Sequence, residues 1–242
     1  MRQWLSPLYI WERVKPPAVQ AVLRTIFQKW GLPQRLRVDN GLPWGARSDL
    51  PSDLALWLIG LGIEMIWNRP AHPQENGIVE RDHGTLKPWV EAGQCRSLKQ
   101  LQQRLDRAVI IQREKFKADD GLTRCARYPQ LLSGARPYDP RKEAQQWQLS
   151  RVCAYLALGV YRRRANQAGQ ISLYNRYYKV GRKFAKQEVE VRFAPATLEW
   201  VIFDEYGQEL IRHPALEISA ERICALQVTR RIETKYQKQR QH

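Results

Sequence analysis

Leu36-Arg37-Val38-Asp39-Asn40-Gly41 is the stretch on which the fold turns. Three residues suited to a strand run directly into Asp-Asn-Gly, a combination that makes a tight turn and stops extended backbone. Upstream, Val19, Val22, Leu23, Ile26, Phe27 and Trp30 recur at helical spacing, with Pro16-Pro17 at the start and Gly31 just past the end. Leu8-Tyr9-Ile10-Trp11 reads as a further short strand ahead of that helix. Downstream, Ser52 is an N-cap for a helix that sets Leu54, Leu58 and Leu61 on one side; Gly62 ends it. Ile63-Glu64-Met65-Ile66-Trp67 is the next strand, and the loop from Asn68 to Gly77 holds too many breakers for regular structure. Helices are expected from about Gly77 to Ala92, kinked or cut short by Pro88, and from Ser97 to Lys117. Strands alternating with helices indicate an α/β layer.

Beyond that layer the pattern changes. Pro129, Gly134, Pro137 and Pro140 make residues 123–146 a linker. Short β segments follow at Val152–Tyr161, Gln170–Leu173, Tyr177–Val180, Glu188–Phe193 and Glu199–Asp204, separated by turn signals, which is the pattern of a small barrel or sandwich. The expected organisation is a core over 1–122, the linker, a β domain over 147–228 and a basic polar tail over 229–242.

Charge narrows the function. Lys and Arg number 40 against 24 Asp and Glu, a net charge of +16, and such an excess favours a polyanion, because each phosphate contact releases condensed counterions. The excess is concentrated: from Arg151 to Gln187 there is no acidic residue. That window holds Arg162, Arg163, Arg164, Arg176, Lys179, Arg182 and Lys183, together with Arg151 and Lys186, interleaved with Tyr155, Tyr161, Tyr174, Tyr177 and Tyr178. Basic side chains on strands and turns suit a surface that tracks a phosphate backbone, while the tyrosines also serve a small core. The four Cys and four His show neither CxxC nor HxxxH spacing, so a zinc site is not expected. No apolar run has the length of a membrane helix or a signal peptide, and a soluble, cytoplasmic protein is expected.

Two carboxylates stand out. Asp39 closes a strand and Glu80 opens a helix, and groups so placed can converge on one Mg²⁺ or Mn²⁺, ions that prefer hard oxygen ligands. The plainer alternative is that Asp39 caps its turn and Glu80 favours its helix N-terminus. Glu80, His83 and Lys87 share a helix face, so a carboxylate would have a cation two turns along.

The words around these residues carry a resemblance. Val38-Asp39-Asn40-Gly41, Leu61-Gly62-Ile63, Asn68-Arg69-Pro70 and Pro73-Gln74-Glu75-Asn76-Gly77-Ile78-Val79-Glu80-Arg81, followed by Thr85-Leu86-Lys87, resemble the integrase core of bacterial insertion-sequence transposases and retroviral integrases, the DDE type. Gly169-Gln170-Ile171-Ser172 through Tyr177-Tyr178-Lys179-Val180-Gly181 and Val189-Glu190-Val191-Arg192 more loosely resembles the SH3-like domain that follows that core. The resemblance implies an RNase H-like α/β core followed by an SH3-like β barrel, with Asp39 and Glu80 as catalytic metal ligands for Mg²⁺ or Mn²⁺. It implies DNA contacts by Arg81 and Lys87, and DNA integration as the reaction. It also implies double-stranded DNA, transposon ends and target, as partner, a nucleoid location, and self-association or mixed assembly with an intact transposase. The family uses three carboxylates, and no Asp precedes Asp39 here. The expectation is therefore an N-terminally truncated form, with an incomplete core, weak metal binding and no transposition of its own. The rival is a non-catalytic DNA-binding protein that regulates or inhibits an intact enzyme.

Overall fold

The structure, a computed structural model, describes residues 14–45, 49–69, 72, 77–117, 120–127, 129 and 136–230. In chain order its elements are α1 (Pro16–Trp30), β1 (Arg35–Val38), α2 (Asp53–Gly60), β2 (Glu64–Trp67), α3 (Gly77–Val90) and α4 (Leu98–Glu114). There follow α5 (Arg124–Arg127), α6 (Glu143–Gln146), α7 (Leu149–Ala157), β3 (Tyr161–Arg164), β4 (Gln170–Leu173) and β5 (Arg176–Lys179). The last are β6 (Glu188–Ala194), β7 (Glu199–Phe203), β8 (Glu209–Pro214) and α8 (Ala220–Cys224). The expected mixture of helix and sheet is present. The chain divides into two units, one of Met1–Pro43 with Ile63–Glu143 and one of Trp44–Gly62 with Ala144–His242. No helix among the described residues is long and apolar enough to cross a membrane.

In the first unit β1 and β2 pair in parallel, Arg35 opposite Glu64 and Val38 opposite Trp67. Helix α1 starts at Pro16-Pro17, as the sequence reads, and its last carbonyls are met when Gly31, at φ 78°, donates its N–H to Phe27 O. Its apolar stripe buries Val19, Leu23 and Phe27. The Phe27 ring meets Tyr138 edge to face at 5.8 Å between centroids. Helices α3 and α4 share a core of Leu86, Val90, Ala108 and Val109. Pro88 sits inside α3, which ends at Val90, two residues short of the expected end.

The second unit is built on α2. Leu54, Ala55, Leu56, Trp57 and Leu58 are all 0% exposed, so this helix is buried on every side rather than along one stripe. Ser52 caps it as expected, accepting the N–H of Ala55 at 3.2 Å. Its C-terminal carbonyls find three donors: Trp147 Nε1 on Trp57 O at 3.0 Å, and Gln148 N and Arg151 Nη1 on Gly60 O at 3.0 and 3.1 Å. A Cβ on Gly60 would lie 2.0 Å from Trp147 Nε1, so only glycine lets the indole reach its acceptor.

The β part is a four-stranded antiparallel sheet in the order β3-β6-β7-β8, plus the separate hairpin β4-β5. No closed barrel is formed among the described residues. Trp200, fully buried, is its centre: Phe193, Tyr161 and Tyr174 pack around the indole at 5.0, 6.0 and 6.4 Å. Burial pushes the phenols of Tyr161, Tyr174 and Tyr178 above the ordinary tyrosine value of 10.0. Phenols freed by unfolding ionise near 10.0 while the folded ones keep their protons, so the folded state binds more protons above that pH. Their contribution is full below pH 10.0 and is lost as the pH rises beyond it. The melting temperature should hold up to about pH 10 and fall steeply above it. A flat profile there would mean that these rings sit in water.

Three expectations need correction or placement. Val152–Tyr161 is not a strand: Leu149–Ala157 is a helix that buries Val152, Cys153 and Leu156 against the core, and strand geometry begins only at Tyr161. The apolar surface of α2 decides this, because a helix can lay one stripe along it while a lone strand there would leave its backbone unpaired. The segment 123–146 is not all irregular, since it carries α5, a turn of 3-10 helix at Pro140–Lys142 and α6. The expected strand Leu8–Trp11 lies outside the described residues.

Candidate nucleic-acid interface and carboxylate pair

Asp39 follows the last residue of β1, at the C-terminal end of the parallel pair, where open α/β sheets place their ligands. The turn there is closed by side chains. Asp39 Oδ1 accepts the N–H of Gly41 at 3.0 Å, and Asn40 Nδ2 donates to Asn68 O at 2.7 Å, tying the end of β1 to the end of β2. The sequence offered a turn cap and a metal ligand for Asp39; the cap is formed, and it uses one carboxylate oxygen. Glu80 lies in the first turn of α3, with Arg81, His83 and Lys87 further along, all four exposed. None of these four side chains has a polar partner among the described residues, and no hydrogen bond joins Asp39 to Glu80. Among the described residues no three His, Cys, Asp or Glu side chains gather at one place.

The basic window of the second unit sorts into two classes. Arg163 is held internally: its side chain is 15% exposed, Nη2 meets Asp49 at 2.6 Å and Nε donates to Ser172 O at 3.3 Å. Arg176 turns inward to the buried Glu217, Nε lying 3.7 Å from Oε2. Arg151, as above, closes α2. Arg162 and Arg164 are exposed on β3, and most of the arginines on this sheet are paired with carboxylates. Arg162 and Arg192 both approach Glu190, at 3.6 and 3.2 Å, and Arg212 pairs with Glu209 at 2.7 Å and stands 3.8 Å from Glu199. Arg164 Nε donates to Lys186 O at 2.9 Å.

The second class is Lys179, at the end of β5, with Arg182, Lys183 and Lys186 in the connection to β6, all exposed and none paired with a carboxylate among the described residues. Lys183 Nζ rests 4.9 Å over the Phe184 ring, which directs it without neutralising it. The connection is rigid. Gly169, at φ 70°, accepts Val180 N at 2.8 Å and Gly181 N at 3.1 Å, and any Cβ there would meet Gly181 O at 2.2 Å. Lys186 joins Arg182 and Lys183 through its exposure in the same connection. The signal available in the sequence was its place in the same acid-free run.

No family model matches the chain.

Proposed function

We propose that the chain is a DNA-binding protein of the DDE transposase type, and that its β unit grips duplex DNA through Lys179, Arg182, Lys183 and Lys186. The observation that carries this reading is their position: four uncompensated cations run from the end of β5 through a short, braced connection, while Arg162, Arg163 and Arg176 are occupied by carboxylates. Free cations along one edge are what a phosphate backbone requires. In this reading β1, β2 and their helices belong to an RNase H-like core, and the antiparallel strands to an SH3-like domain. The parallel pair with an acid at its end and the sheet-plus-hairpin arrangement support that assignment.

Asp39 and Glu80 would be the oxygen donors to Mg²⁺ or Mn²⁺. The described residues offer two exposed carboxylates, one of them already accepting a backbone N–H, and do not fit a two-ion centre. No strand-transfer step is assigned to them. Binding and regulation of DNA recombination is therefore the favoured activity, with an intact transposase or a second copy as the protein partner.

The test is duplex affinity against salt. Affinity should fall linearly on logarithmic axes, and changing Lys179, Arg182 and Lys183 together to Ala should reduce the slope by about 0.9 for each phosphate contact removed. Arg162→Ala, at a self-balanced site, should leave it nearly unchanged. A triple variant with the parental slope would move the DNA to another surface.

A further inference from the structure

The hairpin β4-β5 carries an aromatic ring that its fold does not use. The turn Tyr174-Asn175 has both residues at positive φ, 46° and 62°, which suits the twist of a two-residue hairpin and fixes its register. Ser172 stands opposite Tyr177 and Gln170 opposite Lys179, while Ile171 stands opposite Tyr178. That register sends Ile171, Leu173 and Tyr178 into the core and leaves Ser172, Tyr177 and Lys179 exposed. Tyr161, Tyr174 and Tyr178 are buried; Tyr177 is 65% exposed, with no ring partner among the described residues. On the same face stand two uncharged hydrogen-bonding side chains and a cation, and no carboxylate.

We propose that this face receives an unpaired nucleotide of DNA: Tyr177 stacks on the base and Lys179 takes the adjoining phosphate, with Ser172 and Gln170 beside the base edge. The inference rests on the DNA-binding reading above and adds to it a preference for DNA with a single-stranded end. Charge complementarity favours this occupant, since the cations of the β5–β6 connection continue from Lys179 through Arg182, Lys183 and Lys186. A flat ring beside such a row offers what a phosphate contact alone does not, a surface for an unstacked base. A fully paired duplex hides its base faces and would gain nothing from the ring.

The experiment compares the full chain on a blunt duplex and on the same duplex with a short 3′ single-stranded overhang, at one salt concentration. The expected result is binding of both, with the overhang held roughly ten-fold more tightly. Tyr177→Ala should abolish that preference while retaining affinity for the blunt duplex, and Tyr177→Phe, which keeps the ring, should retain it. Equal affinity of the parent for the two DNAs, or a preference that survives Tyr177→Ala, overturns the inference and leaves the duplex reading standing. Failure of the parent to bind either DNA overturns both. Tighter binding of single-stranded RNA of the overhang sequence would overturn the assignment to DNA.

Discussion

Glu217→Ala should destabilise the second unit by about 3–5 kcal/mol, the cost typical of breaking a buried ion pair from one side. The carboxylate is 0% exposed and has three neighbours: Trp200 Nε1 donates at 2.7 Å, Tyr178 Oη donates at 2.6 Å, and Arg176 Nε lies 3.7 Å away. Removing it strands two buried donors and a guanidinium whose Nη1 is already buried without a hydrogen bond. Each stranded neutral donor is worth about 1–3 kcal/mol and an uncompensated charge more, so the loss exceeds that from the cavity alone. Two further variants separate the causes. Glu217→Gln keeps the shape and an acceptor but not the charge, and should lose about half as much. Adding Arg176→Met to Glu217→Ala removes the stranded charge and should recover part of the deficit. Denaturant midpoints followed by Trp fluorescence provide the measurement. A Glu217→Ala protein within about 0.5 kcal/mol of the parent would mean that water reaches the site.

Glu217 also shows where sequence reading stops. The helix cap Ser52, the Pro16-Pro17 start, the two short strands and the hairpin strands were legible, because each follows from local backbone preference. What α2 packs against was not. The run Asp53–Gly60 reads as apolar, but periodicity reports that a face is buried and not which segment covers it, and its cover is α7, read as a strand. Strand β8 escaped notice since Glu209, Arg212 and His213 break any apolar alternation, and α8 is five residues long. The same limit applies to the site. A row of cations is visible in composition, yet Arg163 finds Asp49 at a separation of 114 residues and Arg176 finds Glu217, pairings that only the fold supplies. The free cations are those left over, and subtraction needs the structure. Asp39 was legible both ways, and the structure shows the cap.

Arg24→Ala is expected to be the most damaging single change in the first unit, with a loss of about 3 kcal/mol or more. Glu143 is a buried carboxylate at the start of α6, and Arg24 of α1 clamps it with both prongs, Nε on Oε2 at 2.8 Å and Nη2 on Oε1 at 2.7 Å. Tyr138 donates its hydroxyl to the same Oε2, and Gln20 accepts from Arg24 Nη1 at 3.3 Å. The hydrogen bonds it donates to Glu143 hold the Arg24 guanidinium above its usual value, and burial first, then Glu143, pushes the Tyr138 phenol up. The arrangement joins a helix near the start of the unit to the segment that ends it, 119 residues away in sequence, so it closes the unit as a clasp. Arg24 is 33% exposed at its side chain and Glu143 10%, which makes the two deletions unequal. Removing the arginine leaves a charge in a dry place; removing the carboxylate leaves a guanidinium that can turn toward water. Glu143→Ala should therefore be the milder variant, by about 1 kcal/mol or more, despite losing the Tyr138 acceptor as well. Lys at position 24 keeps the charge but not the two-pronged geometry, and should fall between the parent and Arg24→Ala. If Arg24→Lys equals the parent, the clasp is a matter of charge alone; if Glu143→Ala is the worse of the two deletions, burial of the carboxylate is not what sets the order.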